Sequence, residues 1–359
     1  MNRSLSILLV FMLPAAMIGQ SSVRPDLYGY VEPYFCYDFN QPSNHTRAGH
    51  IYSYNKHNEV NLNLGMIGVH FTDSTFRSNI AMMAGTYAAA NLSNERPLFQ
   101  HIFEANAGFR IGKKNNVWLD AGIMPSHIGF ESAIGSSCAT LSRSILADNT
   151  PYFETGIKLS GTSKNERWNF ALFLLNGWQR IEQRNGNSMP SAGTQITYNA
   201  NDKLVINSST FIGTDEPDST RKCRYFHNLY AIWNPNDKLQ FTAGFDIGMQ
   251  QQYKGSESYQ LWHSAVLISR YQFTPATSVS VRGEYYHDPD HIIVSTGGNN
   301  EFSVWGYSAN LDYQINERIM WRVEFRSLNA SKDIYLSKGG ATSMNNSICG
   351  TIAVLISND

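Results

Sequence analysis

The chain has 359 residues, with 28 Lys and Arg against 29 Asp and Glu and a formal net charge of −1 at pH 7. Binding nucleic acid through its phosphates needs an excess of positive charge, so a nucleic-acid partner is excluded. Charged residues make up 16% and aromatic residues 13%, a composition typical of strands and turns. The mean hydropathy of −0.32 does not separate a soluble protein from a membrane barrel, because barrel strands alternate apolar and polar residues.

The first element is an N-terminal segment with one positive charge, Arg3, followed by an apolar run over residues 7–18. Such a run is too short to span a bilayer, and polar chain follows it. We therefore predict a cleaved secretory signal peptide over residues 1–20, cut near Gly19 or Gln20, with a buried N-terminal helix as the alternative. Downstream, no stretch reaches the roughly 18 consecutive apolar residues of a transmembrane helix.

Period-two alternation then recurs along the chain and predicts β-strands. It starts in residues 27–38, where mostly apolar odd positions alternate with Tyr28, Tyr30, Glu32, Tyr34, Cys36 and Asp38. Residues 103–111 follow the same pattern, with Glu104, Asn106 and Arg110 on the polar face. In residues 238–250, one face holds Leu239, Phe241, Ala243, Phe245, Ile247 and Met249, and the other holds Gln240, Thr242, Gly244, Asp246 and Gly248.

Connectors of two kinds alternate between the strands. Short ones run over residues 73–75, 112–116, 163–166, 199–202, 234–237, 274–277 and 316–318, and longer polar ones over 40–56, 91–98, 126–150, 182–190, 214–221, 253–257, 287–300 and 330–343. This order is typical of an antiparallel up-and-down transmembrane β-barrel with short periplasmic turns and long extracellular loops. We predict an all-β single domain over residues 21–359 with about 16 strands. A soluble sandwich would not sort its loops by length.

The segment RIMWRVEFRS, residues 318–327, indicates which face meets lipid. Its apolar positions are Ile319, Trp321, Val323 and Phe325, and they alternate with Arg318, Arg322, Glu324 and Arg326. An ion facing lipid near the membrane midplane costs about 2–4 kcal/mol, so we expect the aromatic face to point outward. The charged face then points into a watery lumen, because a barrel this wide encloses a channel.

Seven stretches in a fixed order carry a family resemblance. They are GYVEPYFCYDFNQP (29–42), EANAGFRIG (104–112), LDAGIMPSHIGFES (119–132), NTPYFETGIKLS (149–160), LLNGWQ (174–179), SRYQFTPATSVSVRGEYYHDPD (269–290) and INERIMWRVEFRSLNASKDIY (315–335). Together they span nearly the whole chain after the signal segment, and they resemble the OmpL-like β-barrel porins of Bacteroidetes and related bacteria. The resemblance implies a porin in the outer membrane of a Gram-negative bacterium, a passive channel for small hydrophilic solutes or ions, without enzymatic activity or a cofactor.

The partners that this hypothesis implies are the lipid of the outer membrane, the barrel-assembly machinery and the permeating solutes. A homo-oligomer is left open, because no interface is identified. A second class of function is a non-conducting structural or surface-interaction barrel whose long loops bind a partner. Conductance of the purified protein in planar bilayers separates the two classes.

Strand parity assigns two sets of charged side chains to the predicted lumen wall. One set is Arg282, Glu284, Arg318, Arg322, Glu324 and Arg326; the other, on the opposite part of the wall, is Glu32, Asp38, Glu104, Arg110, Asp120, Glu154 and Lys158. Two interpretations of the first set stay open. The charges set a field that biases which ions pass, or they pair with one another and brace the wall.

The longest connector, residues 126–150, is the best candidate to fold into the lumen and narrow it; capping the outer mouth is the alternative. It carries Glu131, Arg143 and Asp148. The aromatic residues Trp118, Trp168, Trp178, Trp233 and Tyr313 lie near strand ends and are predicted to anchor at the membrane interfaces.

Two further patterns bear on metal binding and catalysis. HDPDH, residues 287–291, brings two His and two Asp together, but the proline and the loop setting favour a turn over a metal site. No GxSxG motif supports a hydrolase, so we predict neither an enzyme nor a metal site. Cys36, Cys138, Cys223 and Cys349 are scattered, and their pairing cannot be deduced from sequence.

Overall fold

The computed structural model describes residues 24–112, 116–296 and 301–358, so the predicted signal peptide lies outside the described residues. The barrel strands are β1 Asp26–Asp38, β2 Val60–Thr72, β3 Phe76–Ala84, β4 Ile102–Arg110, β5 Val117–Pro125, β6 Phe153–Thr162, β7 Trp168–Leu175, β8 Ser191–Asn201, β9 Leu204–Gly213, β10 Arg224–Asn236, β11 Leu239–Gln251, β12 Tyr259–Thr274, β13 Thr277–Asp288, β14 Phe302–Asn316, β15 Ile319–Ala330 and β18 Asn346–Ser357. Two strands within the last long connector, β16 Tyr335–Leu336 and β17 Thr342–Met344, pair only with each other. The helices are short: α1 Thr86–Asn91, α2 Ile145–Asp148 and two 3-10 turns, Phe99–His101 and Gly135–Ser137.

The sixteen barrel strands form one closed antiparallel sheet, which confirms the predicted fold class. Each strand pairs with its sequence neighbours, and β1 closes the ring by pairing with β18, where Tyr30 lies opposite Ser357 and Cys36 opposite Thr351. All long connectors leave one end of the barrel and all tight turns leave the other. Among the described residues, no helix combines the length and the apolar character needed to cross a bilayer.

Asparagine side chains stabilise several of the tight turns. Asn236 Oδ1 accepts hydrogen bonds from the backbone N–H groups of Lys238 and Leu239, and Asn316 Oδ1 does the same for Arg318 and Ile319. This local bonding favours a turn over continued strand pairing. It also ends β14 and starts β15 at fixed residues, which places Arg318 in the turn.

The two faces of each strand differ as the alternation predicts. In β15, Phe325 is 61% exposed on the outer face, whereas Arg322 is fully buried on the inner face. Exposed Leu, Ile, Phe, Trp and Tyr side chains continue around the outside of the ring as an apolar belt. Such a belt is what a lipid-facing barrel surface requires.

The core lies inside the barrel, in the half nearer the long connectors. It combines connector residues such as Tyr54, Leu141, Ile145 and Tyr335 with wall residues such as Phe211, Trp262, Phe302 and Leu328, all of them buried. A barrel of this width is too wide for wall side chains alone to fill. Inward-folded connectors therefore occupy this half of the lumen and narrow it.

The aromatic residues near strand ends divide into two groups. Trp168, Trp233 and Tyr313 are exposed on the outer face, in agreement with anchoring at the interface. Trp118 and Trp178 were predicted wrongly. Trp118 has the lumen parity and carries the Arg77 guanidinium 4.4 Å from its ring centroid. Trp178 lies in the connector after β7 and packs edge-on against the inward rings of Phe211 and Phe226.

Candidate functional site

Residues 126–152, between β5 and β6, cross the lumen, and we call them the inner loop. A backbone hydrogen bond of 3.0 Å from Ser126 to Tyr152 closes its base. His127 lies against the adjacent wall: its Nδ1 is 2.7 Å from Glu154 Oε2 on β6, and its Nε2 is 2.9 Å from the carbonyl oxygen of Thr210 on β9. Burial alone would lower the pKa of His127, but the Glu154 carboxylate and the Thr210 carbonyl outweigh it. The pKa of His127 is therefore raised.

At two positions the inner loop contacts the wall closely, and a glycine lies at each contact. The ring of Phe130 packs over Gly244 of β11, where a Cβ would come within 2.6 Å of the ring. Gly135 lies against Glu32 of β1, and a Cβ at that position would overlap the Glu32 carboxylate. These positions let the loop lie closer to the sheet than a larger residue would allow.

Six of the inward charges of β13, β14 and β15 lie opposite the loop, and we call them the wall cluster: Arg282, Glu284, Asp312, Arg322, Glu324 and Arg326. All six are buried. Three arginines face three carboxylates, so the formal charge of the cluster is zero. Buried charges are tolerated only when they are paired and hydrogen-bonded, and here the inner loop supplies many of the bonds.

Arg322 binds one carboxylate and two loop carbonyls. Its Nε and Nη2 donate to the Asp312 carboxylate at 2.6 and 2.9 Å, a bidentate pair. Nη1 donates to the carbonyl oxygen of Gly135 at 2.7 Å, and Nη2 also donates to that of Cys138 at 3.1 Å. A guanidinium fork matches this planar set of acceptors, which a lysine could not bind.

Arg282 and the two glutamates hold the next part of the loop. Arg282 donates to Glu324 Oε1 at 3.0 Å and to the Ser142 carbonyl oxygen at 2.7 Å. The loop also donates to the wall: the backbone N–H of Ser142 donates to Glu324 Oε2 and that of Ile145 donates to Glu284 Oε2, both at 2.6 Å. Arg326 completes the cluster by donating to Glu284 Oε1 at 2.7 Å.

The charged residues of the inner loop itself fold the loop rather than face an open pore. Arg143 is fully buried and donates to the loop carbonyl oxygens of Ser132, Leu141 and Ala133. Glu131 accepts from the backbone N–H and the hydroxyl of Ser144, the residue that caps α2. Burial raises the pKa of Glu131.

Asp148, at the end of α2, accepts a hydrogen bond from the Tyr152 hydroxyl at 3.0 Å. Burial raises the pKa of Asp148 to about 7, although Arg326, Tyr152 and Arg143 act in the opposite direction. Its carboxyl group therefore titrates near neutral pH within the loop.

Glu32 and Asp38 of β1 hold the connector over residues 39–59. Glu32 accepts from the hydroxyls of Tyr30 and Tyr54 at 3.0 and 2.5 Å. Asp38 pairs with the buried Arg47 at 3.3 Å. These two predicted wall residues are buried beneath the connector rather than exposed to the lumen.

Nearer the tight turns, the inner wall carries ion pairs that stay partly exposed. Arg77 makes a bidentate contact with Asp120 at 2.6 and 2.5 Å, and Lys158 lies 3.8 Å from the same carboxylate. Arg270 lies 3.2 Å from Asp312. Glu104 accepts from Asn79 and Asn106, and Arg110 ends β4 at the turn side; both are half-buried.

Two expectations about these residues need correction. Arg318 is not on the lumen wall, because it lies exposed in the turn between β14 and β15. Arg322 and Glu324 have the predicted inward direction, but the inner loop covers them, so they do not face water. Sequence reasoning missed Arg77, Arg270 and Asp312, although Asp312 alternates with Leu311 and Tyr313 and its inward parity was readable.

Two cavities lie on either side of the inner loop. The upper one, about 190 Å³, is bordered by Asn91, Asp148 and Thr150 toward the long connectors. The lower one, about 310 Å³, is bordered by Tyr87 and Tyr152. The Tyr87 and Tyr152 rings meet edge to face with centroids 5.5 Å apart. One strip of the inner loop and α1 therefore separates the two cavities.

The HDPDH segment forms a turn. Asp288 is buried at the end of β13, and its carboxylate accepts from the backbone N–H groups of Ile292, Ile293 and Val294 at 2.8–2.9 Å. His287 points the other way and lies beside His263. The four cysteines are unpaired thiols in the structure.

Comparison with known proteins identifies the family. A family model described as "Putative beta-barrel porin-2, OmpL-like" matches residues 26–357. The chain therefore belongs to this family and is an outer-membrane porin, as its motifs predict. No curated protein matches the sequence.

Solved porins share the fold at low sequence identity. The anion-selective porin from Comamonas acidovorans is 9% identical, with a TM-score of 0.63 over 93% of this chain and 99% of that chain. The outer-membrane channel DcaP of Acinetobacter baumannii is 12% identical, with a TM-score of 0.63 over 93% and 96%. Salmonella typhi OmpF in complex with daunomycin is 10% identical, with a TM-score of 0.61 over 93% and 98%. At these identities, the likeness shows the fold alone.

Proposed function

We propose that small hydrophilic solutes pass this porin along the edge of the inner loop, and that the wall cluster braces the loop instead of lining an open pore. The supporting observation is the bonding of the three buried guanidiniums of Arg282, Arg322 and Arg326, which donate to loop acceptors and to carboxylates of the cluster. A charge that is fully paired and covered exerts little field on a passing ion.

The route follows from the two cavities. Asp148 and Thr150 border the upper cavity and Tyr152 borders the lower one, while α1 contributes Asn91 above and Tyr87 below. Residues 148–152 border both cavities, and within this strip Tyr152 donates to Asp148. The strip is the proposed constriction, because tyrosine rings and a carboxyl group narrow the space between loop and wall.

Planar-bilayer recordings test this proposal. Purified wild-type protein is expected to give discrete conductance steps, and a variant with residues 131–152 replaced by a short Gly-Ser segment is expected to give larger ones. Equal steps in both proteins would contradict the inner loop as constriction. A silent wild-type membrane would favour the alternative, a non-conducting barrel with partner-binding loops, which the filled upper half of the lumen also fits.

We also propose that residues 1–20 direct export and are removed, and that the barrel-assembly machinery inserts the mature chain into the outer membrane. The alternation of short turns and long connectors supports this placement. Vibrio cholerae OmpT, an 8% identical fold neighbour, has a trimer form, and we propose a homo-oligomer here as well. The mass of the mature N-terminal peptide and the mass of the detergent-solubilised assembly test these two points.

A further inference from the structure

Below the inner loop, two carboxylates each hold two cations. Asp120 pairs with Arg77 and Lys158, and we call these three residues the first triad. Asp312 pairs with Arg322 at 2.6 Å and with Arg270 at 3.2 Å, and these three form the second triad. Since one carboxylate neutralises only one of its two partners, each triad has a formal charge of +1.

The charges of the triads are not equally exposed. The side chains of Asp120 and Asp312 are 5% and 3% exposed, whereas those of Arg77, Lys158 and Arg270 are 35%, 28% and 24% exposed. The carboxylates are thus buried behind their partners, and water in the lumen meets the cations. A solute passing this level therefore meets positive charge.

The two triads face each other across the barrel. The first is on β3, β5 and β6 and the second on β12, β14 and β15, about half of the sixteen-strand ring apart. Both lie in the half nearer the tight turns, since Asp120 is close to the start of β5 and Asp312 is close to the end of β14. Positive charge on opposite walls at one level surrounds the passage instead of biasing one side.

Other charges at this end of the barrel compensate one another. The inward Glu104 and Arg110 carry opposite charges. The tight turns that the structure describes hold five acids and five cations: Asp73, Glu166, Asp202, Asp237 and Glu317 against Lys164, Arg167, Lys203, Lys238 and Arg318. Among the residues that the structure describes, the excess charge of this half therefore resides in the triads.

We propose that the two triads make the channel selective for small anions, inorganic ions or short carboxylates, over cations. This inference rests on the proposed function, because a barrel that does not conduct has no selectivity. The effect is moderate: the field extends about 8 Å at physiological salt, and we expect the chloride-to-potassium permeability ratio to reach about two- to fourfold at low salt.

Reversal potentials in a potassium chloride gradient test the proposal. The informative variant is Lys158→Gln with Arg270→Gln, which removes both excess charges but keeps the bidentate pairs of Arg77 with Asp120 and Arg322 with Asp312. The matched control is Lys164→Gln with Arg318→Gln, which removes two cations from exposed turns. Heat-modifiable migration on gels verifies that each variant folds.

The proposal predicts an anion preference in the wild type and the control, and a ratio near one in the triad variant. A conducting wild type with no anion preference, or a folded triad variant that keeps it, overturns the inference and leaves the porin function in place. A silent wild-type membrane overturns both. If the triad variant does not fold, Arg77→Gln with Arg270→Gln makes the same charge change and is read by the same criteria.

Discussion

The wall cluster and the two triads are built from the same residue types on the same face of the barrel, yet they differ in charge balance and in exposure. The wall cluster pairs three arginines with three carboxylates and is buried under the inner loop. In each triad one carboxylate is shared between two cations, and Arg77, Lys158 and Arg270 stay partly exposed while Arg322 is buried. Arg322 and Asp312 belong to both groups and mark the boundary. The two groups differ in what covers them: the backbone of the inner loop covers the wall cluster, whereas the triads below the loop face the water of the lumen.

This comparison shows why inward parity alone does not define a pore lining. Ser142 and Ile145 present backbone N–H groups to Glu324 and Glu284, so the loop satisfies charges that would otherwise face water. No backbone segment reaches Lys158 or Arg270 among the described contacts. The same alternating pattern therefore produces a brace in one half of the barrel and an electrostatic lining in the other.

The largest expected effect comes from breaking the brace. Changing Arg282 and Arg326 together to Gln leaves Glu284 and Glu324 buried with fewer partners. Removing one side of a buried ion pair typically costs about 3–5 kcal/mol of stability. We expect the double variant to lose its heat-modifiable gel form at a much lower temperature than the wild type and, where it inserts, to give larger and noisier conductance steps.

The triad variant Lys158→Gln with Arg270→Gln is the matched control, since partly exposed pairs contribute about 0–1 kcal/mol. The two variants change the same number of positive charges, so a stability difference reports burial and not net charge. Equal stability of the two variants would contradict the division of the wall into a brace and a lining.

A smaller effect is expected at Gly135, where the inner loop meets β1. The Cβ of Gly135→Ala would overlap the Glu32 carboxylate, so the loop or Glu32 must move. Overpacking of this kind costs about 1–3 kcal/mol. Gly49→Ala is the control, because nothing lies within 4 Å of a Cβ there. We expect conductance noise to rise in the first variant only, and the same noise in both would show that the close approach is not needed.

The fold was predictable from sequence because a membrane barrel leaves strong periodic signals. Alternation in β11 and β15 depends on which face of each strand meets lipid, and the order of short and long connectors depends on which side of the membrane each connector lies. The site was less predictable. The position of the inner loop was one of two open alternatives, and its contacts join residues more than 100 positions apart, such as Ser142 with Glu324 and Ile145 with Glu284. Such pairings depend on the closed ring and leave no local pattern.

The smallest expected effect is a dependence of loop stability on pH. Burial raises the pKa of Asp148 to about 7 from an ordinary value of 3.8, with Arg326, Tyr152 and Arg143 lowering it and Glu131 raising it further. Because the pKa of Asp148 is higher in the folded loop than in a free chain, its protonated form stabilises the folded loop. This stabilisation is complete below pH 3.8 and is lost as pH rises through about 7. The raised pKa values of Glu131 and His127 act with the same sign.

Conductance noise of the wild type is therefore expected to rise between pH 6 and pH 8, as the inner loop becomes less firmly seated. Asp148→Asn removes the titrating group but keeps an acceptor for the Tyr152 hydroxyl, so its noise should change less over the same range. Asp218→Asn is the matched control: Asp218 is an exposed loop acid whose pKa is lowered to about 2 by hydrogen bonds from Ser188 and Arg221, so it stays ionised throughout. If conductance noise depends on pH in the same way in Asp148→Asn and in the wild type, the pH dependence is due to His127 or Glu131. If the noise of the wild type does not change with pH, protonation does not control how firmly the inner loop is held.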